Sequence, residues 1–211
     1  ADMVYSQLSG ANPFFNSRIA YLAAPGMKGR RMKRLAIMDS DGANHRYLTT
    51  GQATALTPRY SPDYKSILYL SYFNGQPRIY IYDLTTDRQR LLLQSQHPLF
   101  APRWSPDGKW ILYSMAIGGN TDIYKMPSAG GNPIKLTDAP GIDIGGSFSP
   151  DGTRIVFESD RSGSQQVYVM NADGTNQHRI SFFGGRSATP EWSPRGDQIA
   201  LLGMKFRAAA K

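Results

Sequence analysis

The sequence predicts an all-β protein built as a β-propeller, and three observations carry that reading. One motif returns at a fixed step: Tyr60-Ser61-Pro62-Asp63, Trp104-Ser105-Pro106-Asp107, Phe148-Ser149-Pro150-Asp151 and Trp192-Ser193-Pro194-Arg195 are spaced 44 residues apart. Other positions keep the same phase, namely Ile67, Ile111, Ile155 and Ile199, and again Leu48, Leu92, Leu136 and Ile180. Finally, 21 Gly and 14 Pro punctuate short runs of Ile, Leu, Val and Tyr, a composition of strands joined by tight turns and not of long helices. Four strands in a period of about 40 to 50 residues is the mark of a propeller blade.

The elements follow in order. Residues 1–16 precede the repeat, and Asp2 to Leu8 read as the end of a helix closed by Ser9-Gly10, the last piece of an N-terminal domain and its linker. The propeller occupies 17–211. Its first blade has strands B, C and D only, at Arg18 to Leu22, Leu35 to Met38 and Arg46 to Leu48. The B–C hairpin of this blade is four residues longer than the rest and holds the basic stretch Lys28 to Arg34. Three complete blades span 51–94, 95–138 and 139–182, and a fifth starts with an A strand at Thr189 to Trp192 and a B strand at Gln198 to Leu202. In 57–94, Pro58 to Tyr60 is strand A, Ser66 to Leu70 strand B, Arg78 to Tyr82 strand C and Arg90 to Leu92 the centre of strand D. The Ser-Pro-Asp-Gly quartet between A and B fits a type I turn, because proline presets φ at the second position and Ser or Asp bonds nearby backbone. The aromatic ahead of it is expected to wedge between neighbouring sheets. An incomplete first blade and an interrupted last one predict a propeller truncated to about four blades.

Composition and motifs narrow the function. Cysteine is absent, which removes disulfide frameworks, thiol nucleophiles and cysteine-bound metals. The 24 Lys and Arg against 16 Asp and Glu give a net charge of +8, the charge of an ordinary basic surface or of one facing an anionic partner. No apolar run reaches the roughly 20 residues of a membrane helix. His45, His97 and His178 fall at unrelated phases, so no metal site is expected. There is no Gly-x-Ser-x-Gly elbow, and the pairs Gly118-Gly119, Gly130-Gly131, Gly145-Gly146 and Gly184-Gly185 lack the Lys-Ser/Thr of a phosphate loop. Asp63, Asp107 and Asp151 are read as turn residues and not as general acids. No enzyme and no cofactor are expected.

What remains is a binding surface. In an A-B-C-D meander the A–B and C–D turns lie on one face of the disc, and the B–C hairpins and D-to-A connections on the other. The second face carries the variable stretches, where recognition concentrates on a rigid scaffold. The D-to-A loops Ala53 to Thr57, His97 to Ala101, Ile142 to Gly145 and Arg186 to Thr189 are expected beside the channel mouth. Several are apolar, suiting either a docking partner or a cap on the propeller interior. The basic stretch 28–34 lacks the interleaved aromatics of a single-strand binder, so nucleic acid is not an expected partner.

The blade signature Pro-x-Trp-Ser-Pro-Asp-Gly-x-x-Ile, together with Val167 to Gly174, Ser159 to Gly163 and the leading Asp2 to Gly10, resembles the TolB family, periplasmic propeller proteins of the Tol–Pal envelope system. The resemblance covers 1 to about 203. It implies six blades, the first completed by the C-terminus, and a non-enzymatic scaffold in the periplasm that supports outer-membrane integrity and invagination at division. It also implies a partner, the peptidoglycan-associated lipoprotein Pal, held on the channel-mouth face, and contact with other Tol proteins through an N-terminal domain. The positions matching that surface are His97, Pro98, Leu99, Phe100 and Ala101, Asp143, Ile144 and Gly145, with Leu56, Thr57, Ala188 and Thr189 alongside. Pro98 stands where the family has a histidine, and His97 precedes it. The alternative is the propeller lid of a prolyl-oligopeptidase-type serine hydrolase, whose blades look alike.

Overall fold

The computed structural model describes residues 7–8, 17–25, 33–182 and 184–204. Of the segment expected to end a helix, Gln7 and Leu8 are helical and exposed. The rest of that segment, the basic hairpin up to residue 32 and the tail from 205 lie outside the described residues.

Among the described residues, everything else that is regular is strand. β1 (Arg18–Ala23), β2 (Arg34–Asp39) and β3 (Arg46–Tyr47) form a three-stranded sheet. Three four-stranded sheets follow: β4 (Thr54–Tyr60), β5 (Ser66–Phe73), β6 (Gln76–Asp83) and β7 (Arg88–Gln94); then β8 (Leu99–Trp104), β9 (Trp110–Ile117), β10 (Asn120–Pro127) and β11 (Ile134–Lys135); then β12 (Asp143–Phe148), β13 (Arg154–Ser159), β14 (Gln166–Asn171) and β15 (His178–Arg179). β16 (Arg186–Trp192) and β17 (Ile199–Met204) pair as a final hairpin. All strand pairs are antiparallel meanders in chain order, and the first strands of successive sheets pack on one another: β1 with β4, β4 with β8, β8 with β12 and β12 with β16. The propeller reading is thereby met. Strand D is short: β3, β11 and β15 have two residues each, and only β7 extends to seven.

Each interface between sheets has its own core. Leu35, Ile37 and Leu48 of the first sheet meet Ala55, Ile67 and Tyr69 of the second. On its other face the second sheet offers Leu68, Leu70, Ile79 and Ile81 to Leu99, Ile111, Tyr113 and Met126. The third offers Leu112 and Ile123 to Phe148, Ile155 and Phe157, and the fourth offers Val156, Val167 and Val169 to Trp192, Ile199 and Leu201. Alternate residues of one strand therefore enter two different cores, which is why strand B reads as an unbroken apolar run such as Ile67-Leu68-Tyr69-Leu70. Burying each such side chain contributes roughly 1.5–3 kcal/mol. Trp104 and Trp192 pack partly buried in these seams, as the wedge reading requires.

The repeated turn is built as its residues dictate. Tyr64 N–H donates to Ser61 O at 2.9 Å, Gly108 N–H to Ser105 O at 3.0 Å and Gly152 N–H to Ser149 O at 2.8 Å. The buried hydroxyls of Ser61, Ser105 and Ser149 donate to Asp63, Asp107 and Asp151 at 2.6, 2.6 and 2.5 Å. The same oxygens accept the N–H of Ser66, Trp110 and Arg154 at 2.9, 2.9 and 3.0 Å, opening strand B. These hydrogen bonds to the charged form hold the three carboxyls below the usual Asp range, the Ser hydroxyl first in each case.

Candidate functional site: the bulged inner strands

The pairing register places the expected binding residues on one face. Phe73 opposes Gln76 across the B–C hairpin and Thr54 opposes Tyr72, so the starts of the A strands share an end of the disc with the B–C hairpins. They are not loop tips, however. Strand A starts earlier than the sequence suggested, so Leu56, Thr57, Leu99, Phe100, Ala101, Asp143, Ile144, Gly145, Ala188 and Thr189 all belong to β4, β8, β12 or β16. His97 and Pro98 stay in the connection before β8 and are exposed.

A bulge at one phase of every inner strand explains the difference. Leu56 opposes Leu70 and Arg59 opposes Leu68, so Thr57 and Pro58 together face one residue of β5. The same irregularity falls between Phe100 and Arg103, Ile144 and Ser147, and Ala188 and Glu191. At each, one residue has positive φ: Thr57 at 46°, Ala101 at 46°, Gly145 at 72° and Thr189 at 48°. Three of the four carry a Cβ, and such a conformation costs on the order of 1–3 kcal/mol and collects at functional positions. Bulges also re-aim side chains and interrupt pairing, which leaves this stretch of inner strand beside the channel irregular and its backbone under-used by the ladder.

Burial separates the residues. Leu99 is fully buried and belongs to the core between the second and third sheets, which accounts for its apolar character without a partner. Asp143 is 1% exposed and ion-paired with Arg161 Nη2 at 2.5 Å. That guanidinium also donates to Gln177 Oε1 at 2.7 Å and lies over the Phe157 and Tyr168 rings, so Asp143 is a structural anchor of its blade. Ala188 is buried, while Thr189 is exposed and its N–H donates to Glu158 Oε1 at 2.5 Å. Leu56, Phe100, Ala101, Ile144 and Gly145 are half-buried and Thr57 is exposed, so these residues, with His97, Pro98 and Thr189, are the ones open to a partner.

The expected Leu56, Phe100, Ile144 and Ala188 form one in-phase set, just before the bulge; a second set, Arg59, Arg103, Ser147 and Glu191, just after it, escaped the sequence reading. Arg103 and Glu191, two repeats apart, form an ion pair at 3.0 Å, which puts the second set around the channel. The signal available was the residue immediately before the motif's aromatic. For metal chemistry, among the described residues no three His, Asp or Glu side chains are grouped as ligands would be.

The model of the TolB beta propeller domain matches residues 5–209. This chain belongs to the TolB β-propeller family. It is 77% identical over 89 residues, 42% of its own length and 20% of the relative's, to the Tol-Pal system protein TolB 1 of Novosphingobium aromaticivorans. Its structure resembles TolB from Acinetobacter baumannii with a TM-score of 0.85 at 33% identity, over 97% of this chain and 51% of that one. The chain thus spans about half the length of that TolB structure. A puromycin-hydrolyzing peptidase from Mycobacterium tuberculosis shares the fold alone, with a TM-score of 0.62 at 15% identity, over 82% of this chain and 30% of that one.

Proposed function

We propose that this TolB-family propeller is a non-catalytic scaffold of the periplasmic Tol–Pal system that holds the lipoprotein Pal at the B–C face of its channel, sustaining outer-membrane integrity and invagination at division. The observation that supports it most is the recurrent bulge: the same inner-strand position is irregular in four sheets, with Thr, Ala and Thr kept at positive φ in three of them. Folding alone favours glycine at such a position. A partner inserting there meets the half-buried Leu56, Phe100 and Ile144 at the centre and exposed His97 and Thr189 at the edge, an apolar patch with a polar rim. Other Tol proteins would be reached through parts of the full-length protein beyond this propeller.

Calorimetric titration of the full-length protein with a Pal domain tests the reading. Saturable binding is expected, weakened at least tenfold by Phe100→Asp with the far-UV spectrum unchanged. Absence of heat at tens of micromolar removes the reading, and unaltered affinity in the variant shows that the wrong face was chosen.

A further inference from the structure

The opposite mouth of the channel, where the Ser-Pro turns gather, carries an arrangement that the blade repeat does not require. Arg103 Nη2 reaches Glu191 Oε2 at 3.0 Å over the short Ser147, whose hydroxyl lies 3.4 Å from Glu191 Oε1. Arg59 occupies the next position of the ring, and its guanidinium has no hydrogen-bond partner among the described residues. The Glu191 carboxylate is thus paired with Arg103, and Arg59 feels it only at longer range. Although Arg59 is exposed, the surrounding protein partly desolvates its head; this first, and then the Arg103 charge, lower its pKa, while Glu191 opposes the shift. Asp63 and Asp107 do not answer this charge. Each is held in its own turn by a Ser hydroxyl and a lysine N–H, and Lys109 Nζ lies 3.8 Å from Asp107.

Both arginines line a cavity of about 310 Å³ walled by Tyr60, Tyr64, Trp104 and Phe148. Tyr64 is the second anomaly. It stands where the other turns have Gly108, Gly152 and Gly196, at φ 71°, 72° and 74°, and it adopts 59° itself. That region is unfavourable for a bulky side chain. Its ring is not spent on packing, being 74% exposed with the Tyr60 ring 5.8 Å away. A strained backbone that turns an aromatic ring to solvent beside under-compensated guanidiniums is unexplained by folding and is what recognition of a chain segment requires.

We propose that this mouth docks an acidic peptide segment, an Asp or Glu carboxylate seated on Arg59 and Arg103 and a neighbouring apolar group laid against Tyr64 and Trp104. The charge excess selects the carboxylate, and the aromatic wall selects a peptide over a free anion. The site lies on the other side of the disc from the surface proposed for Pal and does not rest on that reading.

Fluorescence anisotropy tests it, using the full-length protein at low salt and a labelled peptide of alternating Asp, Gly and Phe, with the same peptide carrying Lys for Asp as the control. Saturable binding of the acidic peptide alone is expected, at least tenfold weaker in Arg59→Gln, a change that breaks no side-chain hydrogen bond among the described residues. Tyr64→Gly is expected to raise the thermal midpoint while weakening the peptide at least threefold, a combination that a merely structural tyrosine does not give. Equal binding of acidic and basic peptides overturns the proposal, as does unchanged affinity in either variant. Equal binding of a peptide with Ala for Phe, displaced by millimolar inorganic phosphate, assigns the mouth to a free anion and overturns the peptide reading.

Discussion

Gly42 and Gly174 occupy the same C–D turn three repeats apart, and replacing each by alanine separates local strain from contact between blades. Their φ values are 88° and 92°, and each N–H closes its turn at 2.9 Å, onto Asp39 O and Asn171 O. They differ in what lies outside the turn. A Cβ at Gly42 meets nothing within 4 Å, whereas at Gly174 it stands 2.8 Å from Leu136 O and 3.2 Å from Leu136 Cα in the preceding blade. Leu136 O also accepts from Gln177 Nε2 at 3.0 Å, so displacing that carbonyl disturbs a bond that staples two blades. Gly42→Ala carries the backbone term only, about 1–2 kcal/mol. Gly174→Ala adds overpacking of about 1–3 kcal/mol and the weakened hydrogen bond of about 1 kcal/mol. The two variants are therefore expected to differ by about 2–4 kcal/mol. Urea unfolding followed by circular dichroism reads this as a shift in midpoint at constant slope. Equal midpoints refute the inference that blades are locked together through this turn.

Three further outcomes follow from the same geometry. The turn carboxyls have folded pKa values below their unfolded ones, Asp151 falling from 3.8 to about 2, so their contribution is present above the unfolded value and lost as pH drops through the folded one. Stability is expected to be level above about pH 5 and to fall between about pH 4 and pH 2, less steeply in Asp151→Asn, as measured by thermal midpoints across pH. Ser149→Ala removes a hydroxyl that both donates to Asp151 and accepts from Arg154 N–H, and is expected to cost about 1–3 kcal/mol in urea. Arg161→Leu leaves the Asp143 carboxylate buried and unpaired and is expected to cost about 3–5 kcal/mol, a loss of stability and not a selective loss of Pal binding.

The parts of the fold that were legible in the sequence are those where the repeat forces one residue type. Ser61, Ser105 and Ser149 recur because one hydroxyl must bridge an Asp and a strand N–H, and Ile67, Ile111 and Ile155 recur because their side chains are fully buried between blades. The start of strand A was illegible for the converse reason. Its bulge fixes a backbone conformation with no common side chain, Thr57, Ala101, Gly145 and Thr189 holding the position in turn, and φ is not written in residue identity when three of four violate the glycine preference. Apolar residues there read as loop tips, whereas Leu99 is core and Asp143 owes its place to Arg161, 18 residues later. The Arg59, Arg103, Ser147 and Glu191 set escaped because its members share a phase and not a chemistry, and an ion pair two repeats apart appears only when the sheets are arranged around the channel.

Hydrogen–deuterium exchange of the full-length protein with and without a saturating Pal domain tests the central claim most directly. Protection is expected to be confined to the inner-strand stretches 53–57, 97–101, 142–145 and 186–189. Protection centred instead on the Ser-Pro turns at 61–64 and 105–108, or no change anywhere at saturation, contradicts it.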